Sequence, residues 1–273
     1  PTATAPTIFL GANSLEINAI PSLLSYASWS TPNLSYNTFN GVISGTGGVS
    51  LSGSSQLMPG QVAGLTFKGV NTYRGPTTIH ADTILRLEGA GSVAASSKIT
   101  NDGFLDIGGV TTGASITSLS GSGHVYLSSP ATNAVDTSSY PNTLIPVAAG
   151  SAKRLTITNA SDTFSGVISG TGALTVAGGT QVLTGTNTYT GDTTIDNGAT
   201  LQIGNGGSAG ALSATTNIVD NGTLTFNLTG SPTVANAISG SGAIHNDGTA
   251  SIALTGSVSN TGSNVQNPGV ICA

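Results

Sequence analysis

Charged side chains make up only 6% of the 273 residues, against roughly 25% in an ordinary globular domain. The six strong cations, Lys68, Arg74, Arg86, Lys98, Lys153 and Arg154, are scattered through a chain of formal net charge −5. They build no basic patch that could neutralise phosphates, so nucleic acid is not an expected partner. The one cysteine, Cys272, excludes an internal disulfide framework and a cysteine metal site. The three histidines, His80, His124 and His245, show neither the spacing of a zinc helix nor a nearby GxSxG elbow. Each reads as a structural or surface histidine. No apolar run approaches the roughly 18 residues of a membrane helix, and no basic, apolar leader follows Pro1. The chain therefore reads as a soluble, mature segment.

What fills the chain instead is glycine, 39 residues of it, together with Ser, Thr and Asn. Such polarity alone would describe a disordered tract, which cannot offset the entropy of ordering. Apolar residues nevertheless reach 37% and arrive in short alternating runs, which a disordered chain does not require. Thr200-Leu201-Gln202-Ile203 and Gly222-Thr223-Leu224-Thr225-Phe226 alternate strictly, giving strands with one buried and one solvated face. Between the runs lie Asn197-Gly198, Asn221-Gly222, Asp102-Gly103 and Asp247-Gly248, dipeptides that tolerate positive φ and let the chain turn.

The sequence also repeats itself. FNGVISGTGG from Phe39 returns as FSGVISGTGA from Phe164, an offset of 125, while GVNTYRGPTTI from Gly69 returns as GTNTYTGDTTI from Gly185, an offset of 116. The first copy thus carries about nine extra residues, around Ser54 to Phe67. NDGFLDI at Asn101 answers DNGTLTF at Asp220, and LSGSG at Leu119 answers ISGSG at Ile238, both at an offset of 119. Long-register similarity of this kind marks stacked units that supply one another's core.

Asn-Gly turns could also close antiparallel hairpins, which would make a sandwich or meander. Turns recurring every 8 to 12 residues between half-polar strands favour a parallel β-helix in which each strand pairs with the next coil, at about 20 to 25 residues per coil. Residues 39–273 form this repeat region. Residues 1–38, which hold the only Trp and four of the eleven Pro, read as an atypical terminal coil capping the stack. Residues 128–154, with Pro130, Pro141 and Pro146, read as a projecting loop, since proline lacks a ladder donor.

The two NTY-x-G-x-TTI segments, followed by LRLEGAGS at Leu85 and LQIGNGGS at Leu201, resemble the passenger-associated repeats of bacterial autotransporters. The resemblance covers roughly residues 39–256. It implies a right-handed parallel β-helix, display on the cell surface or release from it, and a repeat that aids export and folding. It also implies a C-terminal outer-membrane β-barrel translocator outside this chain. What the passenger does once outside is not implied.

Candidate chemistry is sparse, and no cofactor, metal site or catalytic residue is expected. The acids mostly sit in turns beside Gly or Asn, where a carboxylate commonly bonds its own backbone. If coils stack in register, Asp192, Asp196 and Asp220 would share a ledge fit for a cation or a sugar. Thr184, Thr186, Thr188 and Thr190 alternate along one stretch as a polar row. Tyr73 and Tyr189, with Tyr36, Tyr126 and Tyr140, are candidate stacking platforms for a host or biofilm glycan, on a surface that would equally meet a surface protein. A non-catalytic stalk or adhesin scaffold is the leading expectation. A β-helical enzyme acting on polysaccharide, which needs paired acids, or a glycan-binding module is the alternative.

Overall fold

The computed structural model describes residues 6–19, 36–53, 63–128, 134–136, 143–145, 151–266 and 270–272. Among these the chain is all-β, with strands of two to nine residues and no helix long and apolar enough to cross a membrane. The short runs and Gly-containing turns of the sequence account for this, since neither supports a helix of useful length.

Strands pair with the coil before and the coil after, in parallel. One six-stranded sheet joins Tyr36–Phe39, Ala63–Phe67, Thr83–Gly89, Phe104–Val110, His124–Tyr126 and Val167–Ser169. A five-stranded sheet joins Leu15–Ala19, Val49–Gly53, Thr77–Ile79, Ile99–Asn101 and Leu119–Ser120. Two further six-stranded sheets carry the second half of the chain. One runs from Ala114–Ile116 through Arg154–Ile157, Ala173–Val176 and Thr193–Ile195 to Ile218–Asp220 and Ile238–Ser239. The other runs from Thr163–Phe164 through Gly179–Leu183, Ala199–Gly207 and Thr223–Leu228 to Ala243–Asn246 and Asn264–Gln266. Register partners such as Leu155↔Leu174, Leu85↔Leu105 and Ile203↔Phe226 lie 19, 20 and 23 residues apart, close to the expected coil length. The solenoid expectation is therefore met. The antiparallel alternative survives at one place among the described residues, where Ala134–Asp136 pairs with Thr143–Ile145 inside the Pro-rich segment 128–154.

Alternation sets the interior. Leu65, Leu85, Leu105 and Val125 stand in register on successive coils and are 6%, 0%, 0% and 0% exposed. They belong to one apolar column that also takes Ile79, Ile99, Leu174, Ile195, Leu201 and Leu224. Burying an aliphatic side chain of this size contributes about 1.5–3 kcal/mol, and here each coil gains it only by lying against its neighbours.

The described parts of residues 1–38 continue this pattern. Thr7–Phe9 pairs in parallel with Val42–Ser44, and Leu15–Ala19 with Val49–Gly53. Residues 1–5 and 20–35 lie outside the described residues, as do 129–133, 137–142 and 146–150 of the segment read as a projecting loop. The insertion in the first copy falls in the first part of the span 54–67 expected for it. Ala63–Phe67 is an ordinary core strand, pairing with Thr83–Gly89 as Gly179–Leu183 pairs with Ala199–Gly207. The extra residues are therefore confined to 54–62, outside the described residues.

The two copies do not sit on the same face. Val167–Ser169, the counterpart of Val42–Ser44, joins the sheet that holds Thr83–Gly89, whereas the counterpart of Thr83–Gly89, Ala199–Gly207, lies in another sheet. With about three strands to a coil, the second copy is turned by one face relative to the first.

Candidate functional site

The repeated NTY-x-G-x-TTI segment is the most constructed part of the molecule. Asn71 is 2% exposed and its amide joins three coils. The Ile43 N–H donates to Asn71 Oδ1 at 2.8 Å, while Asn71 Nδ2 donates to Gly69 O at 3.3 Å and to Ser92 O at 3.1 Å. Asn187, 1% exposed, repeats the arrangement: Ile168 N–H donates to its Oδ1 at 2.9 Å, and its Nδ2 donates to Gly185 O and Ala211 O, both at 3.1 Å. Each Oδ1 satisfies an isoleucine N–H that would otherwise be buried unpaired, a loss of about 1–3 kcal/mol, whereas the carbonyls that Nδ2 meets also accept backbone N–H groups.

Two residues on, the tyrosine enters the core. Tyr73 and Tyr189 are both 0% exposed, and their hydroxyls pair with Thr77 and Thr193, four residues further along. Burial pushes both phenols well above the usual tyrosine range, and the threonine bond offsets little of that. The proposed stacking role therefore fails for these two rings, because the alternation that exposes Thr186, Thr188 and Thr190 turns Asn187 and Tyr189 inward. Tyr126 is likewise only 2% exposed. The side chain of Tyr36 and all of Tyr140 lie outside the described residues. Gly191 completes the motif: a Cβ there would overlap the carbonyl of Gly172 on the preceding coil.

The three candidate acids do not converge. Thr193–Ile195 pairs with Ile218–Asp220 in the register Thr193↔Ile218 and Ile195↔Asp220. Asp192 and Asp220 therefore stand at opposite ends of this pair. Asp192 is exposed and accepts a bond from Asn217 Nδ2 at 3.1 Å. Asp196 is half-buried in the turn, where its carbonyl accepts the Ala199 N–H. Asp220 is 0% exposed, with the Gly222 N–H donating to Oδ1 at 3.1 Å. No group of three or more His, Cys, Asp or Glu side chains able to hold a metal occurs among the described residues.

A cluster that sequence reasoning missed lies on the outward side of the first six-stranded sheet. Leu105 and Ile107 point to the core column, so Phe104 and Asp106 point away from it, yet each is 3% exposed. Phe104 stacks on His124 at 5.6 Å and on Tyr126 at 6.2 Å. Arg86 Nε lies 3.6 Å from Asp106 Oδ2 on the adjacent strand. Burial lowers the His124 pKa below its usual value. The signal was present in FLDIGG and HVYL, but only the register Phe104↔His124 brings the rings together. A groove of about 320 Å³ also opens beside this sheet, lined by Gly89, Gly91, Ser92, Thr111, Thr112 and Ser115 and by no charged side chain.

These features define a stacked β-solenoid whose coils are fastened by a duplicated staple. The family model of the passenger-associated-transport-repeat matches residues 64–81 and 178–203, the two segments that carry Asn71 and Asn187. The repeats are thus of the kind found in autotransporter passenger domains. No curated protein and no solved structure matches the chain.

Proposed function

We propose that the chain is a non-catalytic passenger segment of an autotransporter, a stalk or adhesin scaffold displayed on or released from the bacterial surface, whose staple coils promote folding as the chain is exported. The carrying observation is the same three-coil bonding at Asn71 and Asn187 inside both matched repeats. A chain leaving a narrow pore unfolded has few charges to desolvate and no disulfide to form. Each coil that stacks outside buries apolar surface that backward movement would expose, which biases transport outward.

Several finer features belong to the same reading. The coil is right-handed, as parallel crossover connections almost always are. Residues 1–38 cover one end, and an outer-membrane β-barrel encoded beyond this segment carries it outward. Ligands are host or biofilm glycans or surface proteins, met through exposed threonines such as Thr186, Thr188 and Thr190. Polysaccharide cleavage would need two facing carboxyls, and Asp192 and Asp220 stand at opposite ends of their paired strands.

The test fuses the chain to a signal peptide and a β-barrel translocator and compares wild type with the Asn71→Ala/Asn187→Ala variant. The expected result is a several-fold loss of protease-resistant passenger at the cell surface. Equal display and equal protease resistance would overturn the proposal.

A further inference from the structure

Among the described residues Asp220 is the one acid with no exposed surface, and the staple does not involve it. It closes the strand Ile218–Asp220, and its carboxyl lies beneath the turn of the following coil, where a Cβ on Gly242 would overlap Oδ1. The Gly222 N–H donates to Oδ1 at 3.1 Å and the Leu224 N–H also faces the carboxyl, while Oδ2 is buried with no hydrogen-bond partner. In the corresponding coil 119 residues earlier the same place is taken by Asn101, uncharged, whose Nδ2 donates to His124 O at 2.8 Å and whose Oδ1 is likewise buried without a partner. The corner thus holds an unpaired buried oxygen in both coils, which costs less on a neutral side chain than on an ionised one.

The charged surroundings are few. The neighbouring strands Thr193–Ile195, Thr223–Leu228 and Ile238–Ser239 carry no ionisable side chain, and Asp196 follows Ile195 in the turn. From Ala243–Asn246, His245 is the charged group that acts on Asp220, favouring its ionised form.

We propose that Asp220 is a proton-controlled latch between coils: the junction of Ile218–Leu228 with Ala243–Leu254 is tight while the carboxyl holds a proton and loosens when it is ionised. Burial pushes Asp220 up to about 6, only partly offset by the Gly222 and Leu224 N–H groups and by His245. Because the folded value lies above the unfolded one, the proton favours the folded state. The contribution is complete below about pH 4 and is lost as pH rises through about 6.

The test is hydrogen exchange of the whole chain at pH 5 and pH 8, corrected for intrinsic rates and read on Thr223–Leu228 and Ala243–Asn246. Protection in wild type is expected to fall by about tenfold between the two pH values, whereas Asp220→Asn is expected to hold its pH 5 protection at both. Unchanged protection in wild type, or an equal loss in the variant, would overturn the latch. Should the variant fold poorly, a carbon-13 titration of the Asp220 carboxyl in wild type decides the matter: a midpoint near 6 supports the latch and one near 4 sinks it.

Discussion

Asn187 reproduces the bonding of Asn71 from 116 residues further along the chain: each amide accepts the N–H of an isoleucine on the preceding coil and donates to a carbonyl on the following one. A single side chain so placed fixes three coils in register. Cutting it back to Ala leaves the Ile168 N–H unpaired, while the Ala211 carbonyl keeps the backbone N–H of residue 187. Asn187→Ala should therefore lower stability by about 1–3 kcal/mol, measured by chemical denaturation, and Asn71→Ala should do the same. Losses under 1 kcal/mol would show that the amide is not a staple.

The buried phenols give a spectroscopic expectation. Tyr73 and Tyr189 have folded-state values well above the usual tyrosine range, so folding favours their neutral forms. That stability is present below about pH 10 and is lost as pH rises beyond it. In an alkaline titration followed at the phenolate absorbance band, these two rings should ionise only together with unfolding. A Tyr73→Phe/Tyr189→Phe variant should lose that late step.

Glycine substitutions should divide by backbone contact. At Gly191 a Cβ would meet the Gly172 carbonyl, a backbone atom that cannot swing aside, so Gly191→Ala should cost about 2–4 kcal/mol through overpacking. At Gly198, where φ is +82° and nothing lies within 4 Å, only the left-handed conformation is penalised, and Gly198→Ala should cost about 1 kcal/mol. Melting curves of the two variants make the comparison; a reversed order would contradict the coil contacts.

His124 provides an acid-side effect opposite in sign to that of Asp220. Burial lowers its folded-state pKa below the usual value, so protonation opposes folding and stability is lost as pH falls below about 6.5. His124→Gln should therefore gain on wild type in Tm on going from pH 7 to pH 5. A constant difference across that range would show that His124 does not titrate against the fold.

Much of the fold was legible in single residues. Leu201 and Ile203 alternate with Thr200 and Gln202, and this is enough to mark a strand and its buried face. The candidate site was less so. Tyr189 was read as a surface ring because tyrosine often carries one wet end, but Thr193 supplies that end with a partner inside the core. Asp192 and Asp220 were read as neighbours because they flank adjacent strands, yet the register Ile195↔Asp220 sets them apart. The Phe104, His124 and Tyr126 stack went unseen because its members are joined by pairing between coils.

The sequence by itself determined the local rule: short alternating strands, Gly-containing turns, a coil of about 20 to 25 residues, and a motif written twice. Alternation and turn chemistry act over a few residues, so they survive in any one stretch of chain. Only the tertiary structure decided which face each copy occupies, that the second is turned by one face from the first, and that Asn71, Tyr73 and Asp220 point into the stack. Those outcomes depend on the register between coils, and register is settled by burying apolar and polar groups against neighbours some twenty residues away.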